Sequence, residues 1–215
     1  MRIGVIGAGM IGATLGSIWI RSGHEVRFGT RHPERVKIRD GLSQTVAEAV
    51  SWAEVLLLAV PLGATPDVAT AAGTALMGKI VLDATNPFAQ REPEAAREIE
   101  AAGTGSGQWV AQQLPGAVVV KAFNTVYFQQ LRNTTGTGPN APGIPLASDN
   151  EAALNLAAQL VRDAGFEPVI VGPLNEATRF EVGTDFWNSG ANAATLRTQF
   201  DFNNKTNDPR PLAPK

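Results

Sequence analysis

The chain opens on RIGVI (2–6), in which apolar and β-branched side chains follow one another without alternation. Such a run suits a strand covered on both faces, as in a parallel sheet flanked by helices. The pattern returns in VLLLAVP (55–61), KIVLDATNP (79–87) and AVVVKAFN (117–124), and a second strand is expected over His24–Gly29. Between these runs lie stretches with helical spacing. One extends from Met10 to Ser22, with Gly12 and Gly16 on one face, and an alanine-rich one from Ala64 to Met77. Gly23 stands where a helix commonly ends in left-handed backbone. Strand and helix in alternation predict an α/β fold built on a doubly wound, mostly parallel sheet.

After Pro87 the rhythm loosens. Residues 88–114 read as a polar, acidic helix, a glycine-rich run (GTGSG, 103–107) and a short helix over QWVAQQL. No strand precedes that glycine run, so it is expected to be a mobile connection and not a phosphate loop. Residues 132–145 are rich in Thr, Gly, Asn and Pro, which marks a loop and a boundary. Beyond it, IPLAS (144–148) and EPVIVGP (167–173) supply two more strands, with helices from Asn150 to Ala164 and from Leu174. The predicted organisation is a nucleotide-binding domain over 1–132, a small C-terminal α/β extension over 133–203 that completes the sheet and the site, and a disordered tail over 204–215.

The first strand runs directly into Gly7-Ala8-Gly9-Met10-Ile11-Gly12, a GxGxxG pattern between strand and helix. In dinucleotide-binding, Rossmann-type folds the first glycine makes the turn, the second lets the backbone approach the pyrophosphate, and the third lets helix and strand pack closely. The helix start then offers its unpaired amides to the phosphates. At the end of the second strand, NAD-binding chains carry an acidic residue for the ribose hydroxyls. Here the positions read Gly29, Thr30 and Arg31, with Arg35 following. Hydroxyl and guanidinium donors suit a 2′-phosphate, so the expected cofactor is NADP. His24 is expected to pack at the strand start, and His32 to sit in a solvated loop or beside the phosphate. Ligands of such sheets lie at the carboxyl ends of the strands, which adds Val60, Pro61, Asn86, Pro87, Ala122, Phe123 and Asn124 to the candidate positions.

Composition narrows the partners. With 215 residues, 44% of them hydrophobic, the chain can bury one substantial core. A net charge of −2 and a pI of about 5.7 offer no basic excess for nucleic acid or anionic lipid. The absence of cysteine removes thiol chemistry, thiolate metal sites and disulfides. The N-terminal residues lack the cationic, apolar and small-residue segments of a signal peptide. No apolar run approaches the roughly 18 to 20 residues of a membrane helix, so a cytoplasmic protein is expected.

Taken together, GAGMIG, GHEVRFGTR, LLLAVP, DATNP, LPGAVVVKAFNT and GFEPVIVGPL resemble the NADP oxidoreductase, coenzyme F420-dependent family, whose nucleotide domain is similar to the reductase domain of STEAP metalloreductases. The resemblance runs from the first strand past Leu174. It implies NADPH in the crevice and a deazaflavin or flavin ring stacked on the nicotinamide, chemistry that needs orientation more than an acid or base. By this resemblance Gly7, Ala8, Gly9, Met10, Ile11 and Gly12 with Thr30, Arg31 and Arg35 contact phosphates. Val60 and Pro61 fall near the ribose, and Asn86, Pro87, Ala122, Phe123 and Asn124 near the nicotinamide. The family's archaeal members carry a histidine-containing segment where this chain reads KAFNT (121–125), which leaves deazaflavin, flavin and a quinone-like acceptor open.

No Ser/His/Asp set, metal-ligand cluster or paired carboxylate stands out, so no catalytic residue is assigned. Two rival readings use the same motifs. A β-hydroxyacid dehydrogenase or imine reductase would place a lysine acid/base on a large helical domain, where this chain has about seventy residues; Lys121, at a strand end, is expected to be structural or a neighbour of the phosphates. A redox sensor would bind NADPH without turnover. Phe123, Tyr127, Phe128, Phe186 and Trp187 could line an acceptor pocket or belong to the core. The apolar stretch FEVGTDFWNSGANAATL (180–196), taken as a helix, suggests a homodimer.

Overall fold

The computed structural model describes residues 1–38, 41–132 and 137–206, the last five through the backbone alone. The expected rhythm appears as β1 (Arg2–Ile6), α1 (Met10–Arg21), β2 (Glu25–Gly29), β3 (Leu42–Gln44), α2 (Val46–Trp52), β4 (Val55–Leu58), α3 (Thr65–Ala72) and β5 (Ile80–Asp83). There follow α4 (Pro93–Ala102), α5 (Ser106–Gln113), β6 (Val118–Lys121), α6 (Phe128–Arg132), β7 (Gly143–Ala147), α7 (Glu151–Asp163), β8 (Glu167–Gly172) and α8 (Ala193–Thr206). The strands form one sheet in the order β3-β2-β1-β4-β5-β6-β7-β8. All neighbours pair in parallel except β6 and β7, which meet antiparallel through Lys121 and Ala147. The α/β, doubly wound, mostly parallel sheet predicted from the apolar runs is therefore the fold.

Two apolar layers sandwich the sheet. Leu15 and Trp19 of α1 pack with Val5, Leu57, Val120 and Phe166 on one face. Val46 and Ala49 of α2 pack with Ile6, Leu58 and Val81 on the other. The first half is tied to α7 by polar bonds: Trp19 Nε1–H donates to Leu160 O at 2.9 Å, and His24 Nε2 lies 3.0 Å from Asp163 Oδ2. His24 is thus a packed strand-start residue.

Several expectations change. Between Lys37 and Val55 the structure adds β3 and α2, which the apolar pattern did not announce because β3 is three residues long and half exposed. The stretch 64–77 is no single helix: Gly73, at φ 53°, turns the chain into a 3₁₀ segment after α3. The GTGSG run is a compact junction in which Gly103 ends α4 in left-handed backbone and Gly105 begins α5. From Leu174 to Phe180 the chain is 3₁₀, and helix resumes only at Ala193, so 180–196 is not one helix. Its apolar residues Phe180, Phe186, Ala193 and Leu196 pack with Val169 and Phe200 inside the chain, which removes the surface on which the dimer expectation rested. Of the tail expected to be disordered, 204–206 continue α8 and 207–215 lie outside the described residues, as do 133–136 of the loop after α6.

A candidate dinucleotide site at the carboxyl ends of the strands

The strand order reverses at β1 and β4, and the glycine loop sits in the crevice this creates. Gly7 has φ 104°, and a Cβ there would lie 2.5 Å from Ala59 O. At Gly12 a Cβ would lie 2.0 Å from Gly7 O, and at Gly16 2.4 Å from the Phe28 ring. These three glycines are required by the protein itself. Gly9 is different, because a Cβ there meets nothing within 4 Å. What needs glycine at position 9 is absent from the chain, and a phosphate approaching the backbone is such a thing. Helix α1 starts at the same point with no side-chain cap and no acidic residue in its first turn. By contrast α2 is closed by a Thr45–Glu48 capping box and α7 by Asn150. The first amides of α1, which belong to Met10, Ile11 and Gly12, are left to an anion.

A cleft of about 360 Å³ runs from this loop toward β2. Thr30, Arg31 and His32 stand at its far end, Val60 and Pro61 along its side, and Val46 and Val68 give it an apolar wall suited to a base. Arg35 is not brought in: its side chain is 74% exposed and its Nε lies 3.4 Å from Glu34 Oε1.

The remaining candidate positions lie at the carboxyl ends of β5 and β6. Asn86 Nδ2–H donates to Asn124 O at 3.0 Å, and Asn124 Nδ2–H donates to Phe180 O at 3.1 Å. Pro87 follows Asn86, half-buried, in the same turn. Ala122 and Phe123 are fully buried, and the Phe123 ring meets Trp19 and Phe166 edge-to-face at 6.0 and 6.2 Å. Their side chains belong to the core, so only their backbone can serve the site. Phe123 also holds φ 61°, a left-handed conformation that costs a bulky residue on the order of 1–3 kcal/mol. Its packing against Trp19 and Phe166 sustains that strain. The five aromatic candidates do not line one pocket. Tyr127 and Phe128 meet at 4.6 Å with their rings tilted by 59°, Phe186 meets Phe200 at 4.5 Å with a tilt of 40°, and Trp187 alone of the five bonds to Asn124.

Lys121 is wholly buried and its three N–H groups are all engaged, with Asp83 Oδ2 at 2.9 Å, Thr85 O at 2.8 Å and Ser106 Oγ at 2.9 Å. Ser106 Oγ–H in turn donates to Glu181 Oε1 at 2.8 Å. The lysine is a structural cross-link from β6 to β5 and α5, with no proton left for a ligand.

Among the described residues five buried side-chain atoms lack a partner, and four lie at the carboxyl edge. Thr30 Oγ1 and Gln44 Nε2, at the β2/β3 end, can donate; Asn86 Oδ1 and Asn124 Oδ1, at the β5/β6 end, can only accept. A dinucleotide with a phosphate at one end and a carboxamide N–H₂ at the other matches that polarity. Gln44 was missed in the sequence because its strand was; the TVAE capping signal at Thr45 could have revealed it.

Comparison with known proteins places the chain in a family. The family model described as NADP oxidoreductase, coenzyme F420-dependent, matches residues 2–87, from β1 through the Asn86-Pro87 turn. The F420-dependent NADP reductase of Methanothermobacter marburgensis is 31% identical over 199 residues, covering 84% of this chain and 88% of that protein. Metalloreductase STEAP3 of Rattus norvegicus is 28% identical over 186 residues, and the chain spans 36% of its length. Among solved structures, a hypothetical protein of Sinorhizobium meliloti superposes with a TM-score of 0.73 at 27% identity, covering 87% of this chain and 93% of that one. The chain therefore belongs to the NADP oxidoreductase, coenzyme F420-dependent family, and is an NADP-dependent oxidoreductase.

Proposed function

We propose that the protein transfers hydride between NADPH and a planar ring acceptor, the deazaflavin coenzyme F420 or a flavin. The observation that carries this reading is the similarity to an F420-dependent NADP reductase across 88% of that protein's length, which takes in the C-terminal extension as well as the nucleotide half. When bound, NADPH supplies the hydride. The chain's own residues hold and shield it: the uncapped start of α1 and the open face of Gly9 take the pyrophosphate, Thr30 and Arg31 the 2′-phosphate, and Asn86 and Asn124 the carboxamide. The engagement of Lys121 in the core favours this reading over an imine reductase or hydroxyacid dehydrogenase that protonates through a lysine. A cytoplasmic, homodimeric protein is part of the proposal; the exposed Ile170 on the edge strand β8 supports association, and light scattering tests it.

The test is loss of dihydronicotinamide absorbance with purified protein, offering F420, FMN, FAD and riboflavin in parallel and NADH as control. Turnover with one ring acceptor and preference for NADPH is expected. Tight NADPH binding with no oxidation by any of them would replace the reductase by a sensor.

A further inference from the structure

We propose that Phe88 and Trp187 form the wall on which the acceptor ring lies, with Trp187 fixing the C-terminal segment to the reacting end of the site; the proposal rests on the hydride-transfer reading above. Trp187 Nε1–H donates to Asn124 O at 3.1 Å, and the same oxygen accepts Asn86 Nδ2–H at 3.0 Å. The indole is thereby bonded to Asn124 and linked through its carbonyl oxygen to Asn86, the two asparagines whose buried Oδ1 atoms lack partners. The next residue, Asn188, donates its N–H to Thr125 O at 3.1 Å. With the Asn124–Phe180 bond, these contacts stitch the segment after β8 onto the turn after β6.

Strain marks the same junction from both sides. Phe123 and Asn188 are the two non-glycine residues with positive φ among the described residues, at 61° and 55°, and they flank the seam between Asn124, Thr125 and Trp187. Backbone held in such conformations is kept in place by its surroundings and clusters where geometry serves a ligand. The aromatic pair fits that use. Phe88 and Trp187 are each half-buried and meet edge-to-face, 6.0 Å apart at 70°; the Arg91 guanidinium lies 5.4 Å from the centre of the Phe88 ring, so the half-buried indole is the ring surface left for a third partner. A cofactor that enters at Thr30 and crosses the glycine loop reaches Asn86 and Asn124 last. In this reading the pair beyond them faces whatever lies against the nicotinamide, and the face of the indole, with the Phe88 edge beside it, suits a flat aromatic ring. Of the other candidate aromatics, Phe123 is committed to the core and Phe186 to Phe200, while Phe128 lies in α6 and Tyr127, half exposed, leans on it.

The experiment titrates F420 and FMN against NADP-loaded protein, following the fluorescence of the ring, alongside separate titrations of NADPH and thermal melts. Trp187→Leu removes the ring, and Trp187→Phe keeps a ring but loses the N–H. The leucine variant is expected to bind the acceptor roughly tenfold more weakly, with NADPH affinity within twofold of the parent protein. The phenylalanine variant should stay within about threefold for both. Unchanged acceptor affinity in the leucine variant would overturn the wall while leaving hydride transfer intact. Equal losses of acceptor and NADPH in both variants would overturn it too, making Trp187 a fold or cofactor residue. If the parent protein neither binds nor reduces either ring, it is the hydride-transfer reading that falls, and the wall falls with it.

Discussion

Replacing Gly9 by alanine separates what the glycine loop does for the fold from what it does for the cofactor. Gly9 has φ −72° and ψ −171°, a conformation open to any L-residue, and its added methyl would meet no atom within 4 Å. Two small terms then act on stability in opposite directions. Alanine is a poorer N-cap than glycine by somewhat under about 1 kcal/mol, while restricting the unfolded chain returns about 0.4–1 kcal/mol. The melting temperature of the cofactor-free protein should therefore move by no more than about 2–4 °C. Affinity should not be spared. The methyl occupies the approach of the pyrophosphate to the amides of α1, and losing one charge-assisted hydrogen bond costs about 1.5–3 kcal/mol, or roughly ten- to a hundredfold in NADPH affinity. Gly12→Ala, with its Cβ 2.0 Å from Gly7 O, is the contrast: it should lose stability and binding together. Thermal melts without cofactor and NADPH titration by nicotinamide fluorescence make the comparison. Were Gly9→Ala to bind NADPH within twofold of the parent protein, the pyrophosphate would not cross Gly9, and the loop would be a structural turn only.

The other predictions follow from the same contacts. Arg31→Ala should weaken NADPH by about 1–3 kcal/mol and leave NADH nearly unchanged, whereas Arg35→Ala, whose partner is exposed Glu34, should shift NADPH by less than about 0.5 kcal/mol; equal effects in a parallel titration would put both arginines on the phosphate. Lys121→Met leaves Asp83 buried without its countercharge and should cost about 3–5 kcal/mol, seen as a fall of roughly 10 °C in melting temperature; a variant that melts like the parent but has lost turnover would make the lysine catalytic. The hydrogen bond from Arg197 holds the Glu167 carboxyl below its ordinary range, against the opposing effect of burial. A depressed carboxylate stabilises the fold above its unfolded pKa and loses that contribution as pH falls through the folded value, so melting temperature should drop in acid below the usual glutamate range. Glu167→Gln should flatten that part of the profile, and an unchanged profile would move the acid sensitivity to other carboxylates.

How far the chain could be read depended on the range of the signals. β1, β4, β5 and β6 are buried on both faces, so a run of three or more apolar residues announces each one. The glycine loop was legible because Gly7 and Gly12 answer to neighbours a few residues away, and Thr30 and Arg31 because they follow a strand of known direction. β3 escaped because Leu42, its apolar residue, is exposed, and with it went Gln44, whose role depends on lying opposite Gly29. Phe123 misled for a related reason. Its neighbours Ala122 and Asn124 carry ordinary strand-end signals, and nothing local shows that its side chain turns inward to Trp19 and Phe166, residues distant in the chain. The bonds of Trp187 are also long-range, 63 residues from Asn124, so the indole looked like one aromatic among several.

The antiparallel junction places the extension beyond the carboxyl ends of the strands, where the proposed acceptor seat would lie. β6 and β7 run in opposite directions and their ladder joins Lys121 to Ala147, the last residue of each strand. The rest of β7, Gly143–Leu146, must therefore lie beyond the carboxyl edge of β6, the edge at which the glycine loop follows β1. β8 and α8 build on that strand, and the segment between them descends to place Trp187 over Asn124. The extension also supplies Phe166 and Leu160, which enclose Phe123 and bind the Trp19 indole of α1. Cutting the chain at residue 132 would uncover that shared core, leaving Trp19 Nε1 without its acceptor and the left-handed Phe123 without the packing that sustains it. The proposed cofactor grip and acceptor seat would thus rest on one core, and substitutions of single residues such as Gly9 and Trp187 are the level at which the two can be tested apart.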